Sequence, residues 1–240
     1  SETITPPTDD ATIIKDSSNN YGSYGNIWLC DRSTWRRGYV RFDLSSIPSG
    51  ATINLAKIRI HYNSYYSSWE NPAGKETGAY RCLESWDEDT ITGTNYPSHN
   101  STATGTTTFP DSPPAWMEWE VTSDVQKMID GEYENYGWCI KFVTEGLSSG
   151  YSLAYLHTKE SDYDPELYVE YTTEAGQAIV KIKAETVSIS EGMGKSMKLT
   201  RLIGETVNVL EAIAKRLDLV KIKDEIVSLP ESISKAMALI

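Results

Sequence analysis

Short stretches of alternating apolar and polar residues recur throughout residues 1–173, and they constrain the fold more than any other feature. About nine such stretches are separated by spacers rich in Gly, Ser, Asn and Pro, which is typical of strands joined by turns. In one stretch Val40, Phe42 and Leu44 should face a core while Arg41 and Asp43 face solvent, as in an antiparallel sheet with one wet face. The stretches are ATIIKD, NIWLCD, YVRFDL, AKIRIHY, GAYRCLE, WMEWEV, WCIKFV, YSLAYLH and ELYVEY.

One segment of this region has a helical pattern. In TSDVQKMIDG, Ser123 and Gln126 have the spacing of a capping box, and Gly131 follows as a stop signal. Many strands with a single helix between them predict a mainly β fold rather than an α/β enzyme. We therefore expect a jelly-roll-type antiparallel β-sandwich over residues 1–173.

The aromatic residues and the charge divide the chain in two. All 7 Trp, 15 Tyr and 3 Phe lie before residue 174, which places the core-forming material in residues 1–173. This part has 12 Lys and Arg against 25 Asp and Glu, a difference of −13 that disfavours nucleic acid as a partner. No apolar run approaches the roughly 20 residues of a membrane span.

The C-terminal part consists of repeats. After a linker at 174–180, three copies of a 20-residue unit occupy 181–200, 201–220 and 221–240, with Glu, Val, Glu, Lys and Leu at matching positions. Each unit is predicted to form a strand and then a short helix, although broken helices in a hairpin or an oligomerisation stalk also fit the pattern. Because single units cannot bury their apolar faces, the chain is expected to self-associate through residues 181–240.

Five ordered motifs make residues 8–173 resemble the DNRLRE-type, or disaggregatase-related, β-sandwich modules. The resemblance implies a non-catalytic extracellular or cell-surface module, similar to carbohydrate-binding modules that include alginate binders. Gly93 stands where this family usually has Trp, and Tyr96 stands where it usually has Arg. The motifs are NYGSYGNIWLCD, RGYVRFDLSSIPSGATINLAKIRIHY, ESWDEDTITGTNYPS, WEVTSDVQKMIDG and YLHTKESDYDPELYVEY.

Basic residues are scarce in this acidic region, so the cluster of Arg32, Arg36, Arg37 and Arg41 is a candidate ligand site. Arg37 and Arg41 are four residues apart in a predicted strand and should lie on one face of it. Arginine supplies the bidentate donors that glycan sites use. The alternative is that these side chains form internal ion pairs or a solvated face.

Further ligand candidates are His157 and Lys159, which lie two residues apart and should project from one face as hydrogen-bond donors. A structural role at the rim of the sheet is the alternative. Tyr21, Trp35 and Trp69 lie in loop-like contexts and are predicted to form a stacking platform for a sugar.

Trp119 and Trp138 lie within predicted strands and are expected in the core. Cys30, Cys82 and Cys139 also lie in strand-like stretches. They are either three buried thiols or one disulfide with one remaining thiol.

A structural Ca²⁺ site is predicted from Asp162 and Asp164 together with Asp10, because carboxylate oxygens are the ligands that Ca²⁺ prefers. A solvated acidic turn is the alternative. The acidic run around Glu88 offers paired carboxylates for glycoside hydrolysis, but the resemblance assigns that run a structural role, so no enzymatic activity is expected.

The sequence predicts a non-catalytic, extracellular carbohydrate-binding or adhesion module carried on a repeat stalk, with a polysaccharide or surface glycan as its partner. The alternative is a structural subunit of a surface filament or viral fibre that binds no sugar.

Overall fold

A computed structural model of the protein describes residues 1–173, which form eleven strands and one helix. The predicted linker at 174–180 and the repeats at 181–240 lie outside the described residues. All nine predicted stretches form strands, and β1 and β7 are additional. The elements are β1 Glu2–Ile4, β2 Asp9–Ile14, β3 Asn26–Cys30, β4 Arg36–Arg41, β5 Thr52–Tyr65, β6 Glu76–Arg81, β7 Gly105–Thr108, β8 Ala115–Glu120, α1 Thr122–Ile129, β9 Trp138–Phe142, β10 Leu153–His157 and β11 Glu166–Thr172.

The strands form one curled antiparallel sheet in the order β1-β11-β5-β10-β3-β4-β9-β6-β7, with β2 added on β4 and β8 on β5. The long strand β5 pairs with β11, β10 and β8, so it links several segments of the curl. Curling brings the two parts of the sheet face to face over a shared apolar core. The fold is therefore mainly β and sandwich-like, as the sequence predicted.

The main core lies inside the curl and follows the alternation of the strands. Val40, Phe42 and Leu44 are buried in it, as predicted, and so are Trp119 and Trp138. The indole N–H of Trp119 donates to Thr77 Oγ1 at 3.1 Å, so this buried ring has no unpaired polar atom.

A second, smaller core covers the outer face of β4, β6 and β9, so the prediction of one wet face is wrong for this part of the sheet. Tyr39 and Cys139 point outward from β4 and β9 and are buried there, together with Cys82 and Trp86 from the segment after β6. Cys30 is also buried, and all three cysteines are free thiols. Of the two predicted arrangements, the structure therefore contains the three buried thiols and not the disulfide.

Helix α1 begins and ends close to its predicted bounds, but its predicted capping box is wrong. The N-cap residue is Val121, and no side chain caps the helix. Gln126 instead uses Oε1 to accept a hydrogen bond from the Ile53 N–H at 2.7 Å, which ties the helix to β5. Gly131 has a φ of 76° and ends the segment, as predicted. Within residues 1–173, no helix is long and apolar enough to cross a membrane.

Candidate functional site

The two arginines predicted to bind ligand from β4 are already paired within the protein. Arg37 Nε and Nη2 donate to the two carboxylate oxygens of Glu145 at 3.0 and 2.7 Å. Arg41 Nε and Nη2 both donate to Asp9 Oδ2, at 2.9 and 2.6 Å. Both arginines lie on one face of the strand, as expected, but the internal ion pairs left open by the sequence are what the structure contains.

The predicted stacking platform is not brought together. Trp35 is only 8% exposed, belongs to the second core and packs edge-to-face on Tyr96 with ring centroids 5.5 Å apart. Tyr21 instead contacts Trp28, and Trp69 contacts Tyr151. The three predicted residues therefore belong to three different aromatic groups.

Lys159 anchors a loop. Its ammonium group pairs with the Glu88 carboxylate and donates to the Thr8 carbonyl oxygen at 3.1 Å. Its backbone N–H donates to Asp10 Oδ2 at 2.8 Å. Asp10 is fully buried, and this burial raises its pKa to about 8. Lys159 and Asp10 thus join β2 to the loop after β10.

His157 lies under Tyr163 rather than at the surface. The rings of His157 and Tyr163 stack with their centroids 5.3 Å apart. The His61 ring contacts both the His157 ring and the Trp116 ring. Burial lowers the pKa of both histidines, which favours the neutral imidazole. His157 is therefore covered by Tyr163, whereas the sequence predicted that it projects from the surface as a donor to a sugar.

The predicted Ca²⁺ ligands do not form a compact group. Across residues 1–173, no group of three or more His, Cys, Asp or Glu side chains is arranged to hold a metal ion. The Ca²⁺ site at Asp10, Asp162 and Asp164 stays a prediction.

An aromatic group in which the sequence singled out only Tyr21 and the adjacent Arg36 lies on the outer face of β3 and β10. Trp28 and Tyr155 are direct cross-strand partners, with ring centroids 6.4 Å apart. Tyr21 and Tyr24 contact Trp28 at 5.8 and 5.5 Å, and the Arg36 guanidinium lies 4.8 Å from the Trp28 centroid. We call Tyr21, Tyr24, Trp28, Tyr155 and Arg36 the Trp28 patch.

The Trp28 patch contains a basic group that no carboxylate in residues 1–173 pairs with. Of the 12 Lys and Arg in residues 1–173, four have no carboxylate partner within 4.0 Å among these same residues: Lys15, Arg32, Arg36 and Lys127. Arg36 lies in the Trp28 patch, and Lys15 follows Ile14, the cross-strand partner of Arg36. Exposed and half-buried rings beside one unpaired guanidinium group suit a ligand with apolar C–H faces and polar edges.

The family comparison agrees with this chemistry. The family model of carbohydrate-binding module family 96 matches residues 1–171. The chain belongs to carbohydrate-binding module family 96. This membership confirms the resemblance found in the sequence, and it indicates a carbohydrate partner for the family 96 domain. No curated protein matches the chain.

Gly93, one of the two departures from the family pattern, lies in close contact with the end of β2. A Cβ at Gly93 would lie 1.8 Å from the Ile14 carbonyl oxygen, so no side chain fits there. This close approach holds the loop against the end of β2. In the same loop region, the Asn20 side chain donates to the carbonyl oxygens of Glu88 and Ile91 at 2.6 and 2.9 Å, which fixes the backbone beside Tyr21.

A signal for the missed residues was present in the alternation itself. Trp28 lies between Ile27 and Leu29, which face the main core, so Trp28 must point outward. Tyr155 lies in the same way between Ala154 and Leu156. Large aromatic residues at outward positions of two strands predict an exposed platform if no loop covers them.

Proposed function

We propose that the chain is a non-catalytic carbohydrate-binding module of an extracellular adhesive protein, and that the Trp28 patch is its binding surface. The observation that supports this proposal is the combination of one exposed and three half-buried aromatic rings with Arg36, which has no carboxylate partner in residues 1–173, on one sheet face of an acidic domain. Tyr24 is 43% exposed, so part of the platform is open to a ligand. Family membership supplies the ligand class.

Binding at such a surface depends on stacking and hydrogen bonding. Aromatic rings pack against the apolar C–H face of a pyranose, and each well-placed ring contributes about 1 kcal/mol beyond its buried area. The Arg36 guanidinium holds one side of the Trp28 ring and presents N–H donors to hydroxyl or carboxylate oxygens at the edge of a sugar. Neither interaction requires a catalytic group.

The carboxylates considered for hydrolysis have structural partners. Glu88 pairs with Lys159, and Asp87 Oδ1 accepts the Asp89 backbone N–H at 2.9 Å in the turn that follows. Glu84 Oε2 accepts the Ser98 N–H at 3.2 Å. These contacts support a binding role rather than hydrolysis.

The repeat segment suits a role in spacing or assembling the binding domain. Its three units at 181–240 share identical residues at matching positions, so stacked units can pack like on like. We propose that this segment acts as a stalk that spaces the binding domain or assembles it with other copies. Self-association through these residues would raise avidity for a multivalent glycan.

A glycan array probed with the full chain, with and without Ca²⁺, tests the proposal. Tyr24→Ala and Trp28→Ala should each weaken binding at least about tenfold, while Leu83→Ala should not, because Leu83 is similarly exposed but lies outside the patch. Loss of binding on chelation would support the predicted Ca²⁺ site. Absence of binding to every glycan would contradict the proposal and favour the structural-subunit alternative.

A further inference from the structure

A second aromatic group lies in the loops next to the ends of β3, β5 and β10. Trp69 contacts Tyr151 edge-to-face with ring centroids 4.6 Å apart, and it contacts Tyr66 in the same way at 5.4 Å. The Arg32 guanidinium lies 4.8 Å from the Tyr151 centroid and 5.6 Å from that of Trp69. We call Tyr66, Trp69, Tyr151 and Arg32 the Trp69 patch.

The Trp69 patch borders an open cleft of about 440 Å³. The walls of the cleft are held by Lys75, whose ammonium group donates to the Gly150 carbonyl oxygen at 2.6 Å and lies 3.6 Å from the Glu70 carboxylate. The backbone N–H of Glu70 donates to the Tyr151 carbonyl oxygen at 3.2 Å. The cleft is lined by Ser68, Trp69, Glu70, Ser148, Ser149, Gly150 and Tyr151.

The two patches are related by the register of β3 and β10. Trp28 pairs with Tyr155, Arg32 lies four residues after Trp28, and Tyr151 lies four residues before Tyr155. Because the two strands are antiparallel, the path from Trp28 to Arg32 and the path from Tyr155 back to Tyr151 run in the same direction. Extended chain rises about 3.3 Å per residue, so the Cα atoms of Trp28 and Arg32 are at most about 13 Å apart.

Both patches have the same chemical composition. Each contains several aromatic rings and one arginine stacked on a ring, and Arg32, like Arg36, has no carboxylate partner within residues 1–173. In the register of the two strands, the apolar pair Cys30 and Leu153 lies between the patches, and neighbouring groups cover both side chains. A surface that repeats one set of groups at a fixed step suits a ligand that also repeats.

We propose that the Trp69 patch is a second sugar subsite, and that the ligand is an extended polysaccharide chain that occupies both patches at once. This inference rests on the proposed function of the Trp28 patch. One polymer chain runs along the outer face of β3 and β10, so the domain binds the interior of a polysaccharide rather than its terminal sugar. Once one patch is occupied, the other is filled intramolecularly at a high effective concentration.

Calorimetric titration of the full chain with oligosaccharides of increasing length tests this inference. The probes are size series from a disaccharide to an octasaccharide, prepared from alginate, xylan and mixed-linkage β-glucan. Short oligosaccharides should bind with two molecules per chain, one at each patch. An octasaccharide should bind with one molecule per chain and at least about tenfold more tightly.

Variants of the second patch identify the residues responsible. Trp69→Ala should reduce the octasaccharide affinity at least about tenfold and lower the disaccharide stoichiometry from two to one. Tyr66→Ala, at a side chain that is 44% exposed, provides a milder variant whose melting temperature should stay close to that of the wild type. Leu83→Ala serves as the exposed control outside both patches.

The outcomes separate the two proposals. If affinity does not grow with length, or if Trp69→Ala and Tyr66→Ala both bind the octasaccharide as the wild type does, the second subsite is wrong while the proposed function stands. If Trp28→Ala also leaves binding unchanged, or if no series binds, the proposed function itself is contradicted.

Discussion

Arg36 and Arg37 are neighbours in the chain, yet they belong to two opposite kinds of surface. The Arg37 guanidinium is held by both carboxylate oxygens of Glu145 and lies 3.8 Å from the Trp35 centroid, on the side closed by the second core. The Arg36 guanidinium lies over Trp28 on the open side, and no carboxylate in residues 1–173 pairs with it. A basic residue is available to a ligand only where the fold provides no internal acid for it.

This difference is informative because the domain is so acidic. With 25 Asp and Glu for 12 Lys and Arg in residues 1–173, a basic side chain has many carboxylates to pair with. Among the arginines of residues 1–173, only Arg32 and Arg36 have no carboxylate partner in this part of the chain. Each of the two patches contains one of them.

The largest expected difference between the two surfaces concerns their tryptophans. Trp35→Ala should lower the free energy of unfolding by about 3 to 5 kcal/mol, because it leaves a cavity in the second core. Trp28→Ala should cost clearly less stability, because the Trp28 ring is only partly buried, but it should impair glycan binding. Urea denaturation of both variants measures the contrast. Equal losses of stability would show that the open face is also a structural core.

The arginine pair gives the next largest effect. Arg37→Ala should lower the free energy of unfolding by about 3 kcal/mol, because Glu145 stays buried with only Lys141, at 3.3 Å, to compensate its charge. Arg36→Ala should change stability by less than about 0.5 kcal/mol, as is usual for a surface substitution. Thermal melts and binding assays on both variants would separate the structural role of Arg37 from the ligand-binding role of Arg36. If Arg37→Ala were as stable as the wild type but bound glycan more weakly, Arg37 would be the ligand-binding residue instead.

The ion network at Asp10 predicts a dependence of stability on pH. Burial raises the pKa of folded Asp10 to about 8, far above its value in the unfolded chain, so the folded state binds the extra proton. Its contribution to stability is therefore present at low pH and is lost as the pH rises toward 8. Relative to Asp10→Asn, the wild type should lose about 2 kcal/mol between about pH 6 and pH 8.

Denaturation at several pH values measures this difference, and the Asn variant is the matched control because it keeps an oxygen acceptor for the Lys159 N–H. Glu88 also has a raised pKa, mainly from burial, and its contribution is common to both proteins. Parallel stability curves for the two proteins would contradict the buried, protonated state of Asp10.

The strands, the main core and the family were predictable from the sequence because each depends on local alternation or ordered motifs. Val40 and Phe42 face the core for that reason. The pairing of Arg37 was not predictable, because Glu145 lies 108 residues later in the chain. Alternation placed Trp28 outward, but it could not show whether a distant loop covers the ring. Such a cover exists elsewhere in the domain, where Trp86 covers Tyr39.

The smallest expected effect distinguishes the contribution of the Arg36 charge to glycan binding from that of its planar guanidinium group. Arg36→Lys keeps the positive charge but loses the planar guanidinium that lies on the Trp28 ring, so binding should weaken about threefold, the size of an exposed cation–π contact. Arg36→Gln removes the charge as well and serves as the comparison.

If the ligand is a uronate polymer, Arg36→Gln should bind more weakly than Arg36→Lys, and added salt should reduce the difference in affinity between the two variants, because exposed charges are screened. If the ligand is uncharged, the two variants should bind alike at every salt concentration, since only the stacked plane is then lost. Titrations at low and high salt distinguish these cases, and wild-type affinity in both variants would show that Arg36 takes no part in binding.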